Sequence, residues 1–217
     1  MTFSVKKENL SFQVTEYIKE HLLFSGKYEN GQKIAEHEIA RALGISRSPI
    51  REAFKELQEE SLLLLEPKKG AFVVSLTNED IKEIYLMRFW IEGNLYDMII
   101  EENLLSNAKY EELQADVHRI VDIVESDLEK YEKTAAYTKE ALSFHIRLCS
   151  LSNKKWIVKI LSKLFNQMRL AMARDLRYAN DYKKNAYLHY KILASLKEKD
   201  GKAAKKILAE DLALYSD

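Results

Sequence analysis

Two groups of residues in this 217-residue chain combine residue types and spacings that can do chemistry. The first is a pair of guanidinium groups, Arg47 and Arg51, one helical turn apart and just after Gly44 and Ser46. Ile50, Ala53, Phe54 and Leu57 repeat at i, i+3, i+4 and i+7, so the apolar face turns inward and both arginines are left outside. At the amino end of a helix, such side chains reach base edges while the helix terminus itself favours phosphate. The second group is His145, His189 and Asp211. Each lies on an otherwise apolar helical face: His145 with Ala141, Leu142, Leu148 and Cys149; His189 with Ile192 and Leu193; Asp211 with Ile207, Leu208, Leu214 and Tyr215. An unpaired carboxylate is costly to bury, so Asp211 needs a cation, a hydrogen-bond donor or a water-filled cavity. Two imidazoles and a carboxylate suit zinc, nickel, manganese or another divalent first-row ion; they also suit hydrogen bonds to one another or to an organic effector.

The elements that must hold the arginines are legible around them. Ile39, Ala40 and Leu43 give a short helical face, Gly44 permits a sharp turn, Ser46 is placed to cap the next helix, and Pro49 falls in a first turn that tolerates a missing N–H. Residues 62–66 (LLLLE) and 71–75 (AFVVS) read as two strands around 67–70 (PKKG), a hairpin with a basic tip. An exposed, salt-bridged helix face with Glu52, Lys55 and Glu56 would account for the arginines alone. Glycine turn, capping serine, arginine pair and basic wing together fit one DNA-docking geometry, with Ser46, Arg47, Ser48 and Arg51 at the contacting end of the second helix. Lys plus Arg equals Asp plus Glu, 34 against 34, so no general positive field assists, and Arg47, Arg51, Lys68 and Lys69 must act locally.

GISRSPIREAF (residues 44–54) followed by PKKGAFV (67–73) resembles the winged-helix domain of GntR-type transcription regulators. The resemblance implies major-groove and phosphate contacts for Arg47 and Arg51, and minor-groove entry for Lys69 and Gly70. His37 stands where some relatives carry a DNA-contacting arginine, and Asn30 where the family usually has proline. RFWIE (88–92), FHIRLCSLSN (144–153), LHYKILA (188–194) and DGKAA (200–204) leading to Asp211 and Leu212 resemble the helical ligand-binding FCD domain of the FadR-like branch. In metal-binding members, an aspartate one turn before the first histidine and three histidines form the site. His145 and His189 match two of those histidines, while Ala141 stands at the aspartate position and Asp211 at the third histidine. Glu140 points about a quarter-turn away and does not replace the lost ligand. Arg88 is a candidate anchor for a carboxylate effector, or simply the i, i+4 partner of Glu92.

The expected fold is mainly α: a winged helix-turn-helix over 1–76, then an antiparallel bundle of about six helices over 77–217 for effector binding and dimerisation. Thr77 offers the first cap of the bundle, and helix breaks fall near Ser106, Glu132, Asn153, Asn180 and Asp200. The single cysteine, Cys149, excludes an internal disulfide framework, and its apolar setting reads as packing. There is neither a membrane-length apolar run nor a secretory signal at the amino terminus, which gives a cytoplasmic expectation. The function expected is an effector-responsive homodimeric repressor of a small metabolic operon, binding double-stranded operator DNA and sensing a small carboxylate effector through a divalent metal. A metal-dependent hydrolase and a structural DNA-binding protein with a ligand-free bundle are the alternatives. No HExxH pair, phosphate-cradling glycine loop or nucleophile elbow is present.

Overall fold

The computed structural model describes residues 6–174 and 182–212 and divides the chain into two units, Met1–Leu76 and Thr77–Asp217. The expected helix break at Asn180, and the face residues Leu214 and Tyr215, lie outside the described residues.

In the first unit, α1 (Lys6–Ile18) runs into a single π-helical turn, followed by β1 (Lys33–Ile34), α2 (Glu36–Leu43), α3 (Arg47–Glu59), β2 (Leu63–Glu66) and β3 (Gly70–Val73). Gly44 ends α2 in the left-handed conformation, φ 65°, its N–H closing on the Ala40 and Arg41 carbonyls, which is what allows α3 to leave at a sharp turn. Ile39, Ile50, Ala53, Phe54 and Leu57 meet in the core as their spacing predicts. The sequence reading passed over α1, which packs on α3 through Val14 and Ile18 and through a polar seam. There the hydroxyls of Thr15 and Ser11 donate to the Glu56 carboxylate at 2.5 and 3.3 Å, and Lys19 pairs with Glu60 at 2.7 Å.

The wing is three-stranded rather than a bare hairpin, in the order β1-β3-β2 and antiparallel throughout. Phe72 pairs with Lys33 on one side and Leu64 on the other, while Ala71 and Val73 alternate into the core. β3 starts at Gly70 and stops at Val73, two residues before the expected Ser75. Leu76 is instead tied to Asn30: its N–H donates to the Asn30 amide oxygen, and its carbonyl accepts from the amide nitrogen.

The second unit contains six helices among the described residues: α4 (Asn78–Glu101), α5 (Asn107–Glu125), α6 (Lys130–Ser150), α7 (Lys155–Arg174), α8 (Tyr182–Lys197) and α9 (Gly201–Asp211). α4 opens with a full capping box: Thr77 Oγ1 accepts from the Asp80 N–H at 3.1 Å and Asp80 accepts from the Thr77 N–H at 2.7 Å. The Ser106 and Asp200 side chains accept from the Lys109 and Ala203 N–H groups at the starts of α5 and α9, so two of the expected breaks are set by capping side chains. α4 packs against α6, α7, α8 and α9, and α5 against α6 and α8, burying Tyr96, Phe144, Leu148 and Ile120. Cys149 is fully buried, and burial pushes its thiol well above the usual range, so it is packed as expected. No helix among the described residues is long and apolar enough to cross a membrane.

Candidate functional site

On the first unit, Arg47 and Arg51 stand on the exposed face of α3, and Ser46 and Ser48 are exposed beside them. Ser46 occupies the N-cap with extended backbone but makes no capping bond, which corrects the expected role. The reason is local: Pro49 is the third helical residue and removes the N3 N–H, the donor taken at the Thr77, Ser106 and Asp200 caps, and the Ser48 N–H is not taken in its place. Arg51 Nε donates to both oxygens of Glu36 at 2.9 and 3.2 Å, fixing the direction of a guanidinium that is otherwise 61 % exposed. Between β2 and β3, Lys68 and Gly70 take positive φ, 65° and 109°, and Lys69 is held at the tip by Glu66 at 2.7 Å. That hydrogen bond, and then the Glu66 charge, push the Lys69 pKa up. His37 is exposed on α2.

The second unit brings His145, His189 and Asp211 together from α6, α8 and α9, with one donor atom of each within 4.8 Å of the others. Opposite ligands of one first-row ion are roughly 4 Å apart, so the three donors are close to a shared coordination sphere. Both imidazoles are 1 % exposed, and the orientation of each ring is set from behind. His189 Nδ1 faces the Asn185 carbonyl at 2.8 Å. A carbonyl only accepts, so Nδ1 carries the proton and Nε2 presents its lone pair. His145 Nδ1 lies 2.6 Å from Glu92 Oε2, which accepts its proton in the same manner. The two Nε2 atoms are buried without a hydrogen-bond partner among the described residues, and His145 Nε2 is 3.9 Å from Asp211 Oδ2.

Glu92 organises this arrangement. Fully buried, it accepts from Arg88 Nε, from the Tyr96 hydroxyl at 2.9 Å and from His145. Burial raises its pKa, but the Arg88 and His145 charges and hydrogen bonds outweigh that and hold it at about 2. Arg88 also reaches Asp211, Nη2 to Oδ2 at 3.4 Å, which supplies the compensation that the buried carboxylate requires. Arg88 is thus the i, i+4 partner of Glu92, and it is in addition a buried cation, 4 % exposed, shared with Asp211. Glu92 as the support of His145, with Tyr96 behind it, and the Asn185 carbonyl as the support of His189 were not anticipated. The available signal was the run Arg88, Glu92, Tyr96 at four-residue spacing along one inward face of α4.

Arg88, His145, Asn185, His189 and Asp211 line a cavity of about 1080 Å³ between α4, α6, α7, α8 and α9, which Ala141 also lines, while Glu92 and Tyr96 lie behind its wall. Glu140 does not line it and instead approaches Arg119 at 3.8 Å, in agreement with its expected direction.

Burial lowers the His189 pKa from 6.5 to about 4, with Asp211 opposing the shift. In metal-free protein the unfolded chain therefore binds a proton at His189 before the folded chain does. The resulting stabilisation is complete above 6.5 and is lost as pH falls through about 4; the full shift corresponds to about 3 kcal/mol. Urea unfolding followed from about pH 7 to pH 4 is expected to show this slope, and His189→Gln to flatten it. An equal slope in the variant would assign the acid sensitivity elsewhere.

The gntR family of bacterial regulatory proteins matches residues 10–73, and the FCD domain matches residues 83–214. The chain is 30 % identical over 193 residues to YdhC of Bacillus subtilis, an HTH-type transcriptional regulator, covering 85 % of this chain and 80 % of that protein. It is 31 % identical over 142 residues to the gluconate operon transcriptional repressor of Bacillus licheniformis, 65 % of this chain and 55 % of the repressor. In fold it is similar to E. coli McbR/YncC, with TM-score 0.76, 22 % identity and coverage of 94 % and 93 % of the two chains. With both halves matched in order along one chain, this protein belongs to the GntR family of bacterial transcription regulators, in its FCD-containing branch, and is a regulator rather than an enzyme.

Proposed function

We propose that the chain is a metal-assisted, effector-responsive repressor, dimeric on operator DNA, with residues 1–76 reading DNA and residues 77–217 binding the effector and pairing the subunits. The observation that carries the sensing half is the pair of buried imidazoles whose Nδ1 atoms are both spent on fixed acceptors while both Nε2 lone pairs share a cavity with Asp211. Metal-ligating histidines are supported from behind in this way. His145, His189 and Asp211 would hold a divalent first-row ion, and Arg88 balances only one of the two nearby carboxylates, Glu92 and Asp211, which favours a cation. When bound, the ion supplies a positive centre with open positions for a carboxylate. An effector that binds one arrangement of the dimer more tightly than another shifts operator affinity by that difference. Repression of a small metabolic operon is supported by the likeness to the gluconate operon repressor.

In the reading half, Arg47 and Arg51 take the major groove and adjacent phosphates, with Ser46 and Ser48 beside them, and Lys69 and Gly70 enter at the wing. Glu36 is the partner that Arg51 must exchange for DNA. Arg51→Ala is expected to cost about 1–3 kcal/mol on operator with little loss of stability. Glu36→Gln is expected to raise affinity for random DNA and narrow the operator-to-random ratio, because it releases the guanidinium and removes a negative charge. Binding titrations at several salt concentrations check both; unchanged affinity in Arg51→Ala would take this arginine out of the interface.

For the metal, elemental analysis of protein purified without an affinity tag is expected to give near-stoichiometric zinc, nickel or manganese, removable by chelator and absent in His189→Ala. Ala141→Asp adds a carboxylate one turn before His145 and is expected to tighten binding. Metal-free protein that also fails to take up added metal would leave the three residues as a hydrogen-bonding site for an organic ligand.

A further inference from the structure

We infer that the effector is an amphipathic carboxylic acid, with an aliphatic or aromatic body, rather than a polyhydroxylated sugar acid; this rests on the metal-assisted reading above. The cavity volume of about 1080 Å³ lies just above the roughly 300–1,000 Å³ of sites for drug-sized ligands. Besides the His145, His189, Asp211 and Arg88 cluster, the lining carries further polar groups such as Thr138 and Asn185, but Leu86, Phe89, Trp90, Met168 and Met172 give it a wall that is more apolar than polar. A sugar acid carries a hydroxyl on nearly every carbon, and each one buried against Trp, Phe, Leu or Met loses water without gaining a partner. An acyl chain or aromatic ring loses nothing there and gains by leaving water.

Two further features agree. Trp90 is 56 % exposed and Leu86 is 38 % exposed on α4, and both line the cavity, so large apolar surfaces that face water in the ligand-free chain belong to the site itself. Lysines also line it, Lys82, Lys184 and Lys206 against Glu210, with Lys184 and Glu210 paired at 3.0 Å and Lys82 3.6 Å from Glu79. An anionic head is thereby drawn toward an apolar container.

The test is isothermal titration of zinc-loaded, full-length protein with octanoate, phenylacetate, gluconate and malate, alongside zinc titration of the metal-free chain. Octanoate or phenylacetate is expected to bind at least tenfold more tightly than gluconate and malate. Trp90→Ala is expected to weaken the apolar acids about tenfold while zinc affinity stays unchanged. Gluconate or malate binding as tightly as the apolar acids overturns the inference and leaves the metal-assisted reading standing. Zinc uptake with no acid bound overturns the inference alone, and absence of both zinc and acid binding overturns both. If Trp90→Ala converts a dimer to monomer with acid affinities intact, the exposed rim is a subunit contact and the apolar-body assignment fails.

Discussion

The second unit depends on one buried carboxylate. Glu92 has no exposed surface, and a charge in that position is tolerated because both of its oxygens are engaged by donors: Arg88 on one oxygen, Tyr96 and His145 on the other. From this constraint the rest of the site follows. Arg88 is fixed on its own helix turn and extends to Asp211, so a carboxylate at the end of α9 can be buried at all. His145 is fixed with its proton toward Glu92, so its other nitrogen faces the cavity. The cluster is thus a chain of compensations running from α4 to α6 and α9, and His189 joins it from α8 through a backbone carbonyl of its own helix.

The first unit solves an electrostatic problem of a different kind. The chain has no net charge to lend, and two of the cations proposed to meet DNA are paired with an acid from a neighbouring element: Arg51 with Glu36 of α2, Lys69 with Glu66 of β2. Such exposed pairs contribute little to stability, so their effect is on geometry and competition. On the proposed reading they orient the cations and would be exchanged for phosphate or base on DNA, trading general affinity for selectivity.

The parts of the fold set by local chemistry were readable from sequence. Gly44 as a left-handed stop, Thr77 and Asp200 as caps, and the i, i+3, i+4 faces of α3 and α6 each act within a few residues, and the helices begin and end where those residues require. What escaped was non-local. α1 carries a weak apolar pattern and is secured by Thr15 and Ser11 reaching Glu56, some forty residues away, while β1 is two residues long and exists only because β3 offers it an edge. In the site, inward-facing His145, His189 and Asp211 were legible as costly polar residues on apolar faces. Their supports were not, because whether Glu92 serves Arg88 alone or Arg88, Tyr96 and His145 together depends on how α4 and α6 meet. Ser46 shows the opposite failure: a local rule for capping was overridden by a second local rule, the missing N–H of Pro49.

The central claim is that Glu92 and the Asn185 carbonyl hold His145 and His189 with their lone pairs turned toward one another and toward Asp211. The most direct measurement is long-range nitrogen–proton correlation NMR of the imidazole rings in metal-free protein near neutral pH, which reports which nitrogen of each ring carries the proton. Nδ1–H in both His145 and His189 is the predicted result. A proton on Nε2 of either ring would occupy the position the account reserves for a shared ligand, and would contradict it.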